Sequence, residues 1–231
     1  MGTSNWQNIS YCIEKIVEIQ PQSILDVGIG FGRWAILSRE FLEVWNDRMT
    51  PDQWQVKIDG IEAYSPQLQE YHSYFYNKIH VGDAFDILPN IIEYDLIILG
   101  DVLEHFTPEK AAFILDMCIR KSKYVMLNIP LGNCWLQGEK YNNPFEVHLS
   151  AWEDENLSFN NLKEKRLFKD FQNREFGVYI YRGGLENRQA VQSHVVSKKI
   201  ENSAVDELCA YFRRHPKKAQ FLFGIIDFLR S

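Results

Sequence analysis

Asp101, Glu104 and His105 stand at i, i+3 and i+4 in the stretch GDVLEHF. If Asp101 opens a helical turn, that spacing puts all three on one face. Carboxylates beside an imidazole can exchange protons with a bound reactant. With a second imidazole they can instead hold a hard divalent ion such as Mg²⁺ or Mn²⁺ rather than a thiophilic one. That second imidazole is available at His148, in NPFEVHLSAW. A different kind of site is offered by SILDVGIGFGRWA, residues 23–35, where Gly28, Gly30 and Gly32 follow an apolar run. Glycine permits a positive φ and lets another atom approach the backbone closely. A turn built this way can receive a ligand, and a tight turn without a ligand needs the same residues. The spacing is G-x-G-x-G, with Arg33 where the third glycine of a dinucleotide-binding turn would fall. Arg33 itself reads as a surface helix start, with carboxylate binding as the alternative.

The elements that must position these residues can be read from apolar periodicity. Ile9, Ile13, Ile16 and Val17 mark a helix that Pro21 ends. Residues 23–27 form a strand, 33–45 a helix, 55–64 a second strand, and 65–75 a helix opened by Ser65-Pro66. A short third strand follows in KIHVG. DLIILG is apolar without alternation, as expected of a strand buried on both faces of a parallel sheet. Thr107-Pro108 opens a helix to residue 121, and YVMLNIP is a fifth strand. Residues 153–165 read as a helix or a helical turn, and 166–183 as a hairpin around Asn173-Arg174. Repeated β-α alternation predicts a parallel sheet covered by helices on both faces, with the hairpin making one edge antiparallel. Open sheets of this type bind ligands beyond the carboxyl ends of their strands. The glycine turn and the 101–105 cluster both fall at such ends.

The bulk properties narrow the function. The chain has 231 residues, 45% of them apolar, which suits one domain with additions rather than two full domains. The net charge of −6 argues against a broad nucleic-acid footprint. Cys12, Cys118, Cys134 and Cys209 are widely separated and form no CxxC, so no zinc knuckle is predicted and a reducing cytoplasm is expected. No signal-peptide core or membrane-spanning run is present in the sequence.

ILDVGIGFG resembles the first motif of class I S-adenosylmethionine-dependent methyltransferases, and four further segments resemble later motifs of that family in the right order over residues 20–182. The resemblance implies a three-layer Rossmann-like α/β sandwich. Its sheet would be mostly parallel and seven-stranded, with an antiparallel C-terminal edge hairpin, followed by a C-terminal helical extension. The methyltransferase domain would be 1–183, with 1–20 as an N-terminal helix and lid, and 184–231 as the extension. The implied cofactor is S-adenosylmethionine, with S-adenosylhomocysteine as product. The resemblance places Gly28, Gly30 and Gly32 around the cofactor and Asp26 near its methionine end. Glu62, at the end of the second strand, would take both ribose hydroxyls. Asp83 would face the adenine amino group and Ala84 would offer its N–H to the ring. Gly100 and Asp101 would face the methionine part.

His148, His105 and Glu104 are the candidate catalytic residues. Asp101, Glu104, His105 and His148 also resemble the ion-binding set of metal-assisted O-methyltransferases, which makes Mg or Mn a second expectation beside a metal-free pocket. The expected reaction is in-line methyl transfer to an O or N nucleophile of a small molecule. A metal-assisted RNA or protein methyltransferase and a non-catalytic cofactor-binding partner are the alternatives. Trp135, Tyr141, Phe145 and Trp152 in the segment after the fifth strand would wall the acceptor pocket, with at least one of Phe145 and Trp152 in the core. The apolar positions of 204–229 suggest two helices split near Pro216, whose stripe needs cover and could be met by a second copy in a homodimer.

Overall fold

The computed structural model describes residues 4–135, 137–184 and 198–199. Seven strands form one sheet: β1 (Ser23–Val27), β2 (Lys57–Glu62), β3 (Lys78–Val81), β4 (Tyr94–Gly100), β5 (Ser122–Pro130), β7 (Leu162–Lys169) and β8 (Glu175–Arg182). Their order is β3-β2-β1-β4-β5-β8-β7. The first five strands run parallel, and β8 joins β5 antiparallel with β7 outside it, as the sequence predicts. A separate two-stranded pairing joins β6 (Ser150–Ala151) to β9 (Lys198–Lys199). The rest of the predicted helical extension, and with it the proposed dimer stripe, lies outside the described residues.

The central strands show why the sheet has two dry faces. Side chains along a strand alternate between faces. In β4, Leu96 and Ile98 join the core under α1 (Ile9–Ile19) and α2 (Arg33–Leu42), whereas Ile97 and Leu99 join the core under α5 (Pro108–Arg120). All four are fully buried. Each such side chain contributes about 1.5–3 kcal/mol of burial, so the run 96–99 of β4 has no polar position to give up. Its apolar run is the direct imprint of a helix layer on each side. Two short helices complete the layers: α3 (Glu70–Phe75), between β2 and β3, and α4 (Ala84–Ile87), after β3.

Several boundaries differ from the sequence reading. The helix over 33–45 ends at Leu42 and continues as a 3₁₀ turn, Val44–Asn46. The predicted helix 65–75 is a 3₁₀ turn, Ser65–Gln67, and a separate α3, because Leu68 is extended between them. Of the helix or helical turn read at 153–165, the single turn α6 (Asp154–Leu157) forms. Residues 162–165 instead pair with β8, where cross-strand hydrogen bonding overrides local helix propensity. Of the two aromatic residues offered to the core, Trp152 is fully buried and Phe145 is exposed.

Candidate functional site

A cavity of about 560 Å³ opens at the carboxyl ends of β1, β2, β4 and β5, where the strand order reverses between β1 and β4. One end is built largely from backbone. Gly28, Gly30 and Gly32 have φ of 73°, 50° and 85°, the left-handed region that only glycine enters freely. At Gly28 a Cβ would also lie 2.7 Å from the Val102 Cγ2, so the turn has no room for a side chain. The Gly30 N–H donates to the Glu62 carboxylate over 3.2 Å. That carboxylate also accepts the Tyr64 N–H at 2.8 Å. Burial pushes Glu62 up from the usual carboxylate range, against hydrogen bonds from Tyr64, Gln67 and Gly30 that pull it down. The residue is therefore a buried brace of the turn as well as a wall of the cavity.

Gly82, Asp83 and Ala84 form the far wall of this end. Asp83 caps α4, accepting the Phe85 N–H at 2.8 Å. Gly28, Gly30, Gly100 and Asp101 line the cavity too, whereas Asp26 and Gly32 do not. Gly32 caps α2, and Asp26 is buried beneath the turn with one carboxylate oxygen 2.6 Å from the Tyr76 hydroxyl and the other without a partner among the described residues. Burial raises Asp26 to about 7, although the Tyr76 hydrogen bond opposes the shift. Gly100 leaves room for the Trp34 indole, which a Cβ would strike. Arg33 is half-buried rather than a surface helix start. Its guanidinium holds the carbonyls of Asn5 and Ser4 at 2.7 and 2.9 Å, bringing the N-terminal segment to the cavity wall.

The other end is built from side chains. After β4 the chain makes a 3₁₀ turn, Leu103–His105. This turn captures the distant segment 147–150. The Leu149 N–H donates to the Glu104 carbonyl at 2.7 Å, and the Ser150 hydroxyl reaches the Leu103 carbonyl. His105 Nδ1 lies 3.2 Å from the Val147 carbonyl, the geometry of a donated ring N–H. The His105 and His148 rings meet edge-on, 4.8 Å between centroids. One ligand atom from each of Glu104, His105 and His148 lies within 4.8 Å of the others. Asp101 falls outside this group. Its φ of 57° is not helical, so the expected helical face shared by Asp101, Glu104 and His105 does not form.

Burial dominates the electrostatics at this end. Glu104 is held well above the ordinary carboxylate range, with the Asp101 charge adding to the effect. His105 is lowered by burial. His148 is pushed down to about 3 by burial and then by His105. The Glu104 Oε2 has no hydrogen-bond partner among the described residues. Trp135, Tyr141 and Phe145 wall the mouth, as the sequence suggests. Arg174, which the sequence did not single out, stacks on Trp135 at 3.9 Å while paired with Asp170 at 2.7 Å. Tyr64 also escaped notice. Its hydroxyl donates to the Asn142 carbonyl at 3.0 Å, tying the acceptor-side loop to the end of β2.

No protein-family model matches the chain, and no curated protein matches it in sequence. Among solved structures, a SAM-dependent methyltransferase from Archaeoglobus fulgidus superposes with a TM-score of 0.53 at 14% identity, over 75% of this chain and 92% of that one. The fold is that of class I methyltransferases. Magnesium protoporphyrin IX methyltransferase from Synechocystis PCC 6803 with bound SAH gives a TM-score of 0.51 at 12% identity, covering 79% of this chain and 90% of that chain. The N-terminal domain of EvdMO1 with SAH bound gives 0.50 at 15%, covering 77% and 82%. The methyltransferase fold also accounts for the seven-stranded order and its antiparallel edge. Among the described residues, no helix is long and apolar enough to cross a membrane.

Proposed function

We propose that the chain is an S-adenosylmethionine-dependent methyltransferase acting on an oxygen or nitrogen of a small molecule. One observation carries the reading: the glycine turn, Glu62, Asp83 and the Glu104–His105–His148 group line a single continuous cavity. A bound S-adenosylmethionine would supply an activated methyl group on its sulfonium. The residues present suit it. Gly28 and Gly30 bring bare backbone to the cavity wall, Glu62 would have carboxylate acceptor capacity for two hydroxyls, and Ala84 lines the end assigned to the adenine. Asp101, which lines the cavity within the electrostatic reach of Arg33, would face the amino-acid part of the cofactor.

Orientation of the acceptor supplies much of the rate. The aromatic mouth would hold the acceptor, and a base must take its proton. A base works best when its pKa lies near the working pH. Burial raises Glu104 and pushes His148 down to about 3, so of the two the carboxylate holds a proton more tightly. We therefore assign proton acceptance to the Glu104 carboxylate, with His105 and His148 directing the acceptor's hydroxyl or amine. Calorimetry with S-adenosylhomocysteine tests the cofactor reading, and the absence of heat ends it. Incubation with labelled cofactor and a metabolite extract then identifies the acceptor.

A second reading adds an ion at Glu104, His105 and His148. It is favoured by the convergence of their ligand atoms and by the unpartnered Glu104 oxygen. Carboxylate and imidazole together suit Mg²⁺ or Mn²⁺, and ligation would use the ionised Glu104 carboxylate and the neutral imidazoles. Under this reading activity is lost in excess chelator and returns with Mn²⁺. Full activity in chelator leaves the metal-free site.

A further inference from the structure

His72 lies outside every motif that points to the cofactor, yet it touches the glycine turn directly. It is a buried residue of α3. The Gln69 N–H donates to its Nδ1 at 2.9 Å, which leaves the ring proton on Nε2. That Nε2 lies 3.0 Å from the Gly30 carbonyl oxygen. Gly30 is thus held on both sides, its N–H by Glu62 and its carbonyl by His72. The neighbouring Tyr71 stacks on the His72 ring at 4.2 Å and donates to the Phe31 carbonyl at 3.3 Å. The ring of His72 also abuts Gly32, where a Cβ would come within 3.4 Å of its Cδ2.

The consequence follows from peptide planarity. In a trans peptide the C=O and the following N–H point in opposite directions. With the Gly30 carbonyl turned toward His72, the Phe31 N–H is turned away from it. Phe31 lines the cavity, and among the described residues nothing accepts its N–H. We infer that His72 is a positioning residue for the cofactor: by holding the Gly30 carbonyl it fixes the Gly30–Phe31 peptide so that the Phe31 N–H is presented to the bound ligand. Without that hold, the positive φ of Gly30 leaves a glycine peptide that can rotate at little cost. Tyr71 secures the next peptide in the same sense and with a weaker bond.

The inference rests on the methyltransferase reading, and the experiment separates the two. S-adenosylhomocysteine affinity is measured by calorimetry on the full chain and on His72→Leu, His72→Gln and Tyr71→Phe. A glutamine can place its Nε2–H where the histidine has its own, and leucine cannot. His72→Leu should bind about tenfold more weakly or worse, since a buried carbonyl loses its donor. His72→Gln should recover most of that loss, and Tyr71→Phe should lose only a few-fold. Thermal melting of the ligand-free variants checks that each is folded. In the wild type, amide exchange at Phe31 should slow when S-adenosylhomocysteine is added. Equal affinity of wild type and His72→Leu overturns the inference, as does an equal loss in the leucine and glutamine variants, which would mean that only ring packing counts. If the wild type itself does not bind S-adenosylhomocysteine, the methyltransferase reading fails first and the inference falls with it.

Discussion

At the glycine end of the cavity the backbone is braced from several sides: Glu62 and His72 hold Gly30, and Tyr71 holds the Phe31 carbonyl. At the opposite end, Glu104, His105 and His148 face one another with a buried carboxylate oxygen that has no partner among the described residues. The first end has its backbone held in place by these bonds, as suits a ligand that presents the same shape at every turnover. The second keeps an unmet polar demand, which costs stability until something fills it. The contrast separates recognition from chemistry: a stiff cradle on one side and an unsatisfied group waiting for a proton or an ion on the other.

The largest effect that could break this contrast is at Gly30. Gly30→Val puts a β-branched side chain at a φ of 50° in the cavity wall. The variant should fold, judged by circular dichroism, and show no heat with S-adenosylhomocysteine. Normal affinity in a folded variant would mean the turn is only a turn. Next comes Glu104→Gln, which keeps the shape and removes the base. Methyl transfer to the identified acceptor should fall by about 10²–10⁴ while S-adenosylhomocysteine affinity stays put. A parallel loss of affinity would merge the two ends into one function. Glu62→Ala should weaken S-adenosylhomocysteine binding by about 2 kcal/mol or more, because a buried carboxylate that also holds Gly30 disappears. An unchanged dissociation constant removes Glu62 from the cradle.

The smallest effect concerns Asp26. Its folded value is raised from 3.8 to about 7, so the folded chain keeps a proton that the unfolded chain releases. The stability that comes from this group is complete below 3.8 and is lost as pH rises through about 7. Asp26→Asn, compared with wild type by melting temperature across that window, should flatten this part of the curve. An identical slope in both proteins would mean that Asp26 titrates as an ordinary aspartate.

How far the sequence could be read depended on how local each cause was. The apolar run of β4 and the glycine turn announce themselves within a few residues, because burial on two faces and a positive φ are written into side-chain type. The convergence of His105 on His148 was visible as residue types but not as geometry. It depends on backbone bonds from segment 147–150 to the turn after β4, and Asp101 left the group because its backbone is left-handed. The brace from His72 to Gly30 was not legible, since it spans 42 residues and no spacing rule links α3 to the turn. Arg33 was misread for the same reason: its partners, Ser4 and Asn5, lie in a segment with no periodicity of its own. The shortened α6 shows the reverse case, a helix signal that pairing with β8 cut off.

The two outer strands of the sheet bear on how copies of the chain behave in crowded solution. Among the described residues nothing pairs with the free edge of β3 or of β7. A long apolar edge would invite a neighbouring chain to add its own strand. Here one edge is four residues long, and the other carries Lys163, Glu164, Lys165, Arg166 and Lys169 along its length. Docking a second β7 against the first would bring those charges together and strip them of water. The sheet thus guards its own margins against aggregation, one by brevity and the other by charge.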